Sequence, residues 1–109
     1  MTIINKDLGA DTPNVNVKGD LVIKYSKHKD FKYEFIDYGA ILVNKNIFKN
    51  FKKNEEIDLS TVINQQIQNK ECLYYETNYS FYEMGTIESY NYLSKILLIK
   101  KKVGKLWEI

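Results

Sequence analysis

Two carboxylates, Asp37 and Glu83, stand where an acidic side chain needs an explanation. Asp37 interrupts the nearly continuous apolar run Phe35-Ile-Asp-Tyr-Gly-Ala-Ile-Leu-Val43, and Glu83 sits in Phe81-Tyr-Glu-Met-Gly-Thr86. An acid on a strand is either a satisfied structural group or one that faces a ligand or metal. Spacing leaves both roles open for Asp37. Glu83, taken by itself, reads as an exposed carboxylate on a short strand. Gly39, two residues beyond Asp37, marks a bulge or a close approach by a ligand or another backbone. The one histidine, His28, lies among lysines in Ser26-Lys27-His28-Lys29. No nucleophile or acid partner is placed beside it, so it reads as solvated rather than as a general base. The one cysteine, Cys72, allows no internal disulfide and no Cys-based zinc site, and it reads as a small core residue.

The sixteen basic residues are all lysine. Lysine is a mobile point charge, whereas bidentate recognition of guanine edges or phosphates usually uses the rigid guanidinium fork. The lysines are scattered among acids except for Lys100-Lys101-Lys102, which reads as a solvated tail. Tyr74, Tyr75, Tyr79, Phe81 and Tyr82 offer faces on which single-stranded bases could stack. Aromatic residues also favour strands for ordinary packing reasons. Nucleic acid is therefore a poor partner for this chain, and a small single-stranded-binding module stands as an alternative only.

The elements that must position these residues read as mixed α/β. Met1-Thr-Ile-Ile4 is a short strand ended by a turn-prone stretch that contains Gly9, Asp11 and Pro13. Asn14-Val-Asn-Val17 and Leu21-Val-Ile-Lys-Tyr25, joined through Gly19, read as a hairpin. The Phe35 run predicts a central strand buried on both faces. Asn46-Ile-Phe-Lys-Asn-Phe51 fits one short helical turn. Asp58 is a plausible N-cap for a helix carrying Leu59, Val62, Ile63 and Ile67, closed by Asn69-Lys70. Cys72-Leu-Tyr-Tyr-Glu76 and Phe81-Tyr-Glu-Met84 read as strands. After Gly85, Thr86 caps a last helix, and Ile87, Tyr90, Leu93, Ile96 and Leu97 form its stripe against a sheet.

At 109 residues and 44% hydrophobic, the chain has the size and content of one domain. Its 28% charged residues argue against wholesale disorder. No apolar run approaches the roughly 20 residues that span a bilayer, and Asn5, Lys6 and Asp7 follow Met1-Thr-Ile-Ile too soon for a signal peptide. A reducing, cytoplasmic setting without membrane contact is the expectation. Only one strand reads as central and covered, so the α/β pattern looks partial.

Three segments, in order, resemble the C-terminal half of the sugar-1-phosphate nucleotidyltransferase family. Met1-Thr-Ile-Ile with Thr12-Pro-Asn-Val and the hairpin is similar to the insert after the family's metal-binding strand. Phe35-Ile-Asp-Tyr-Gly-Ala-Ile-Leu-Val is similar to the strand with a substrate-lining glycine. Phe81-Tyr-Glu-Met-Gly-Thr-Ile-Glu-Ser-Tyr resembles the late acidic-X-Gly-Thr/Ser turn, and the helix at Ile57-Asp-Leu-Ser falls where the family has one. The nearest kinds act on mannose-, glucose- or heptose-1-phosphate.

The resemblance implies the C-terminal portion of a Rossmann-like fold: a mixed sheet, a hairpin insert and two to three helices. Residues 1–109 would be a single partial domain, with 98–109 a loose lysine-rich tail. It implies that Gly39 and Asp37 line the sugar pocket, that Lys27 approaches the sugar phosphate, and that Glu83 is one of two Mg²⁺-ligand positions. Gly85 and Thr86 would form the motif turn. The substrates would be a nucleoside triphosphate and a sugar 1-phosphate, joined with release of pyrophosphate. The family's Gly-X-Gly-X-Arg loop and first metal-binding aspartate are absent here, and Met1 falls where relatives have an internal residue. The expectation is a chain inactive alone, needing a complementing chain. A non-catalytic partner that self-associates through a bare sheet edge is the alternative.

Overall fold

A computed structural model of the chain describes residues 1–9, 11–26, 28 and 31–102. The order of elements is β1 (Thr2–Asn5), β2 (Val15–Lys18), β3 (Leu21–Tyr25), β4 (Phe35–Asp37), a 3-10 turn (Lys45–Phe48), α1 (Leu59–Gln68), β5 (Tyr75–Thr77) and α2 (Ile87–Lys102). This is a mixed α/β architecture built on one five-stranded sheet, order β3-β2-β4-β1-β5.

The expected hairpin is β2–β3. Gly19, at φ 60°, takes the left-handed position that a two-residue primed turn demands. Register slips between Asn16 and Val17, which leaves Ile23 unpaired across the hairpin and half exposed. β4 lies between β2 and β1 and is antiparallel to both, while β5 runs parallel to β1. The sheet curls until its ends meet: Leu21 bridges Leu73, the Val22 amide donates to the Cys72 carbonyl at 2.9 Å, and the Tyr74 hydroxyl donates to the Gly19 carbonyl at 2.8 Å.

The core follows from strand alternation on β1. Ile3 joins Val15, Val22, Tyr25 and Ile63 of α1 on one face. Ile4 turns to the other face, where Ile36 is buried and the turn Asn5–Gly9 closes over both. Asp58 caps α1 as expected: its Oδ1 accepts from the Ser60 amide at 2.9 Å, and Val62 and Ile63 are the buried side of that helix. No described residue beyond Ile63 is buried.

Three expectations fail in whole or in part. The strand from Phe35 is central but stops at Asp37; Gly39, at φ 83°, turns the chain, and Leu42 is 97% exposed rather than covered. Phe81–Met84 forms no strand, because no neighbouring strand offers it a ladder. The segment from Cys72 pairs only at Leu73 and at Tyr75–Thr77.

α2 forms where expected, and Thr86 caps it: its Oγ1 accepts from the Ser89 amide at 3.1 Å. It does not pack its stripe on the sheet: Ile87, Tyr90 and Leu97 are exposed, and Leu93 and Ile96 are half-buried. The radius of gyration is 16.7 Å, against about 13 Å for a compact domain of this length. Lys100–Lys102 is helical, and 103–109 lies outside the described residues.

Candidate functional site

Local chemistry positions Asp37 before any ligand is considered. Its Oδ1 accepts from the Gly39 amide at 2.9 Å, closing an Asx-type turn. Its Oδ2 accepts from the Tyr25 hydroxyl at 3.5 Å, a long and weak bond. Its own amide donates to Asn14 Oδ1 at 2.9 Å. Asp37 is thus a satisfied, half-buried carboxylate whose neighbours come from β3 and from the residue ahead of β2. Burial, and then the Asp37 carboxylate, push the Tyr25 phenol above its usual value. The sequence shows the aspartate but not this pairing, which depends on the curl of the sheet.

Gly39 needs its glycine for conformation rather than for space. A Cβ there would touch nothing within 4 Å, but φ is 83°. The segment after it stays beside β1: the Thr2 amide donates to the Ala40 carbonyl and the Tyr38 amide to the Thr2 carbonyl, both at 3.0 Å.

Tyr38, between Asp37 and Gly39, meets Phe81 edge-on, with ring centroids 5.1 Å apart and planes at 73°. Ser80 donates to the Leu8 carbonyl at 2.9 Å. Ser80 and Phe81 therefore meet the turn after β1 and Tyr38, although the excursion through α1 separates them in the chain. Glu83, Gly85 and Thr86 are exposed. Lys27 lies outside the described residues.

Magnesium usually takes one or two protein carboxylates plus substrate phosphates and water. The described residues hold no group of three or more His, Cys, Asp or Glu placed to share a metal. Glu83 supplies one carboxylate, which is less than a site, and no step is derived through the metal. His28 is exposed, its amide donating to Ser26 Oγ at 3.1 Å. Cys72 packs against the core cluster, and burial pushes its thiol up, so it is not an activated nucleophile.

Two grooves lie elsewhere, neither touching Asp37, Gly39 or Glu83. One, of about 590 Å³, is apolar and runs between α1, the segment 41–44 and the segment 71–75. The other, of about 700 Å³, is lined largely by the side-chain amides of Asn44, Asn46, Asn50, Gln65, Gln66 and Gln68. The individual residues were visible in the sequence, but nothing in it signalled that they share a wall. Among the described residues no helix is long and apolar enough to cross a membrane. No family model, curated protein or solved structure matches this chain.

Proposed function

We propose that this chain forms the sugar-phosphate side of a sugar-1-phosphate nucleotidyltransferase-type fold, the C-terminal portion of a Rossmann-like domain working in the cytoplasm. The observation that carries the reading is the Tyr38–Phe81 contact. It joins two of the three resembling segments, while β1 and β4, paired side by side, join the third. In this reading the Asp37–Gly39 turn faces the sugar, Lys27 approaches its phosphate, and Glu83 is one of two metal-ligand positions. Gly85 and Thr86 open the helix behind them.

The reaction would join a nucleoside triphosphate to the sugar 1-phosphate and release pyrophosphate. Such transfers depend on alignment and on neutralising phosphate charge. The 109 residues contain no arginine and no Gly-X-Gly-X-Arg loop. The chain by itself therefore binds the sugar side without turnover, and the nucleotide side comes from a complementing chain.

The test is an amide NMR titration with mannose 1-phosphate and glucose 1-phosphate, using inorganic phosphate as control, beside a pyrophosphate-release assay with Mg²⁺. Shifts centred on 37–40 and no pyrophosphate are the expected result. Undisturbed amides at 37–40, or metal-dependent turnover by the chain alone, would overturn the reading.

One observation favours a second reading, a non-catalytic partner that docks through its sheet edge. β5 ends the strand order, and among the described residues Tyr75–Thr77 pairs on one side, with β1; the other side offers backbone groups that a further strand could take up.

A further inference from the structure

The amide side chains of this protein fall into two groups. Asn5, Asn14, Asn16 and Asn64 are used inside the fold. Asn5 Oδ1 accepts from the Asp7 amide at 2.9 Å, and Asn14 Oδ1 accepts from the Asp37 amide at 2.9 Å. Asn16 Oδ1 accepts from the Glu34 amide at 3.0 Å, and Asn64 Nδ2 donates to the Ser60 carbonyl at 2.9 Å. The other group lines the groove of about 700 Å³ between the 3-10 turn and the C-terminal half of α1. All three glutamines of the chain, Gln65, Gln66 and Gln68, are in its walls, with Asn46, Asn50 and Asn69. Among the described residues, none of these six side-chain amides makes a hydrogen bond within the chain.

Uncommitted amides gathered on one space set the chemistry of what they can hold. Each carries a carbonyl acceptor and an NH₂ donor side by side. A hydroxyl is likewise both donor and acceptor, and a polyhydroxylated ring presents such groups around its whole rim. A nucleobase offers polar atoms on its edges only, which leaves most of these amides without a partner. The two charged side chains in the walls, Lys49 and Glu71, are of opposite sign and give an ionic ligand no net attraction there. Lys45 and Lys70 adjoin the walls along the chain without lining the groove. Ile47 and Phe51, both half-buried, add apolar ground for the C–H face of a ring. The volume falls within the range of about 300–1,000 Å³ that small-molecule sites occupy.

We propose that this groove is a binding site for an uncharged saccharide, its hydroxyls held by Gln65, Gln68 and Asn69 and by Asn46 and Asn50, with a ring face on Phe51. Gln65, Gln68 and Asn69 stand at i, i+3 and i+4, so they come together at the end of α1. The hydroxyls replace water on the amides, so each hydrogen bond adds little net and the affinity is modest. The site is separate from the sugar-phosphate reading, because Asp37, Gly39 and Glu83 do not line it.

An NMR titration of the isotope-labelled full chain with maltotriose, cellotriose and mannotriose tests it, read on side-chain NH₂ and backbone amide signals. The expected result is saturable shifts at residues 44–51 and 65–71 with at least one trisaccharide, at a Kd of about 1 mM, with 37–40 undisturbed. Gln65→Ala and Gln68→Ala remove exposed side chains, so circular dichroism should show both variants folded. Each should raise that Kd about 3–10-fold; variants that bind like wild type would overturn the proposal. So would the absence of saturable shifts at about 20 mM of every trisaccharide, or shifts that glycerol at equal hydroxyl concentration reproduces. Uridine or a blocked dialanine peptide acting at 44–51 and 65–71 where the saccharides do not would replace it with a base or peptide site. Saccharide shifts confined to 37–40 would defeat it while leaving the sugar-phosphate reading standing.

Discussion

Replacing Asp37 separates what holds the turn from what faces a ligand. The carboxylate accepts one good hydrogen bond, from the Gly39 amide at 2.9 Å, and one long one, from the Tyr25 hydroxyl at 3.5 Å. A hydrogen bond to a charged group contributes roughly 1.5–3 kcal/mol, and a bond at the limit of reach contributes little. Gly39 is exposed, so water can take over its amide when the acceptor is lost. The net cost of Asp37→Ala is then about 1–2 kcal/mol, at or below the lower end of that range. Asp37→Asn keeps an acceptor oxygen for Gly39 and a donor for the Tyr25 oxygen, so it should cost less than about 0.5 kcal/mol. At about 4–8 °C per kcal/mol for a small domain, Ala lowers Tm by about 4–16 °C and Asn by under about 4 °C.

Thermal melts by circular dichroism at pH 7, with urea midpoints as a second measure, read both values. An Asn variant that falls as far as Ala would refute the reasoning, because acceptor geometry would then not be what closes the turn. An Ala variant that melts with wild type would refute it as well. The same pair reports on the sugar-phosphate reading. Asn leaves the turn in place, so loss of mannose 1-phosphate shifts in Asp37→Asn would measure a ligand-facing role separately from folding.

Three further outcomes follow from the packing. A Cβ on Gly9 would lie 2.5 Å from Ile36 Cδ1 and 3.2 Å from Ile4 Cγ2, both on fully buried side chains; Gly9→Ala should cost about 1–3 kcal/mol in urea unfolding, as overpacking does. Burial and the Asp37 carboxylate raise the Tyr25 pKa, so its contribution to stability is present below the unfolded phenol value of about 10 and is lost as pH rises through the folded value. Tyr25→Phe should therefore flatten the alkaline limb of the urea midpoint against pH, and an unchanged limb would exclude this tyrosine as its source. Asp58→Ala removes the acceptor for the Ser60 amide and for the Ser60 hydroxyl at 2.7 Å, and it should cost about 0.5–2 kcal/mol by urea midpoint, with Asp58→Asn recovering most of it.

The elements that local chemistry controls were legible in the residues. Gly19 between two β-branched runs marks the hairpin, because a primed turn needs a left-handed residue. Asp58 and Thr86 mark the starts of α1 and α2, because each side-chain oxygen satisfies an amide that the helix leaves open. Where the strand at Phe35 stops was not legible. The apolar run continues to Val43 in the sequence, but the chain turns at Gly39, where Asp37 is held by Asn14 and Tyr25 from distant parts of the chain. The candidate residues divide the same way: Asp37, Gly39 and Glu83 stand out in the sequence by type and position, whereas the contact of Tyr38 with Phe81 appears only in three dimensions.

By itself, then, the sequence determined the mixed α/β content, the hairpin, both helix starts and the absence of arginine, since each rests on a residue and its near neighbours. Tertiary structure alone decided the pairing of β5 parallel to β1, the curl that brings Leu21 to Leu73, and the exposure of α2. Those outcomes depend on which surfaces the rest of the chain can reach. An apolar side chain in the sequence carries its need for burial, but only the fold determines whether its own chain can meet it.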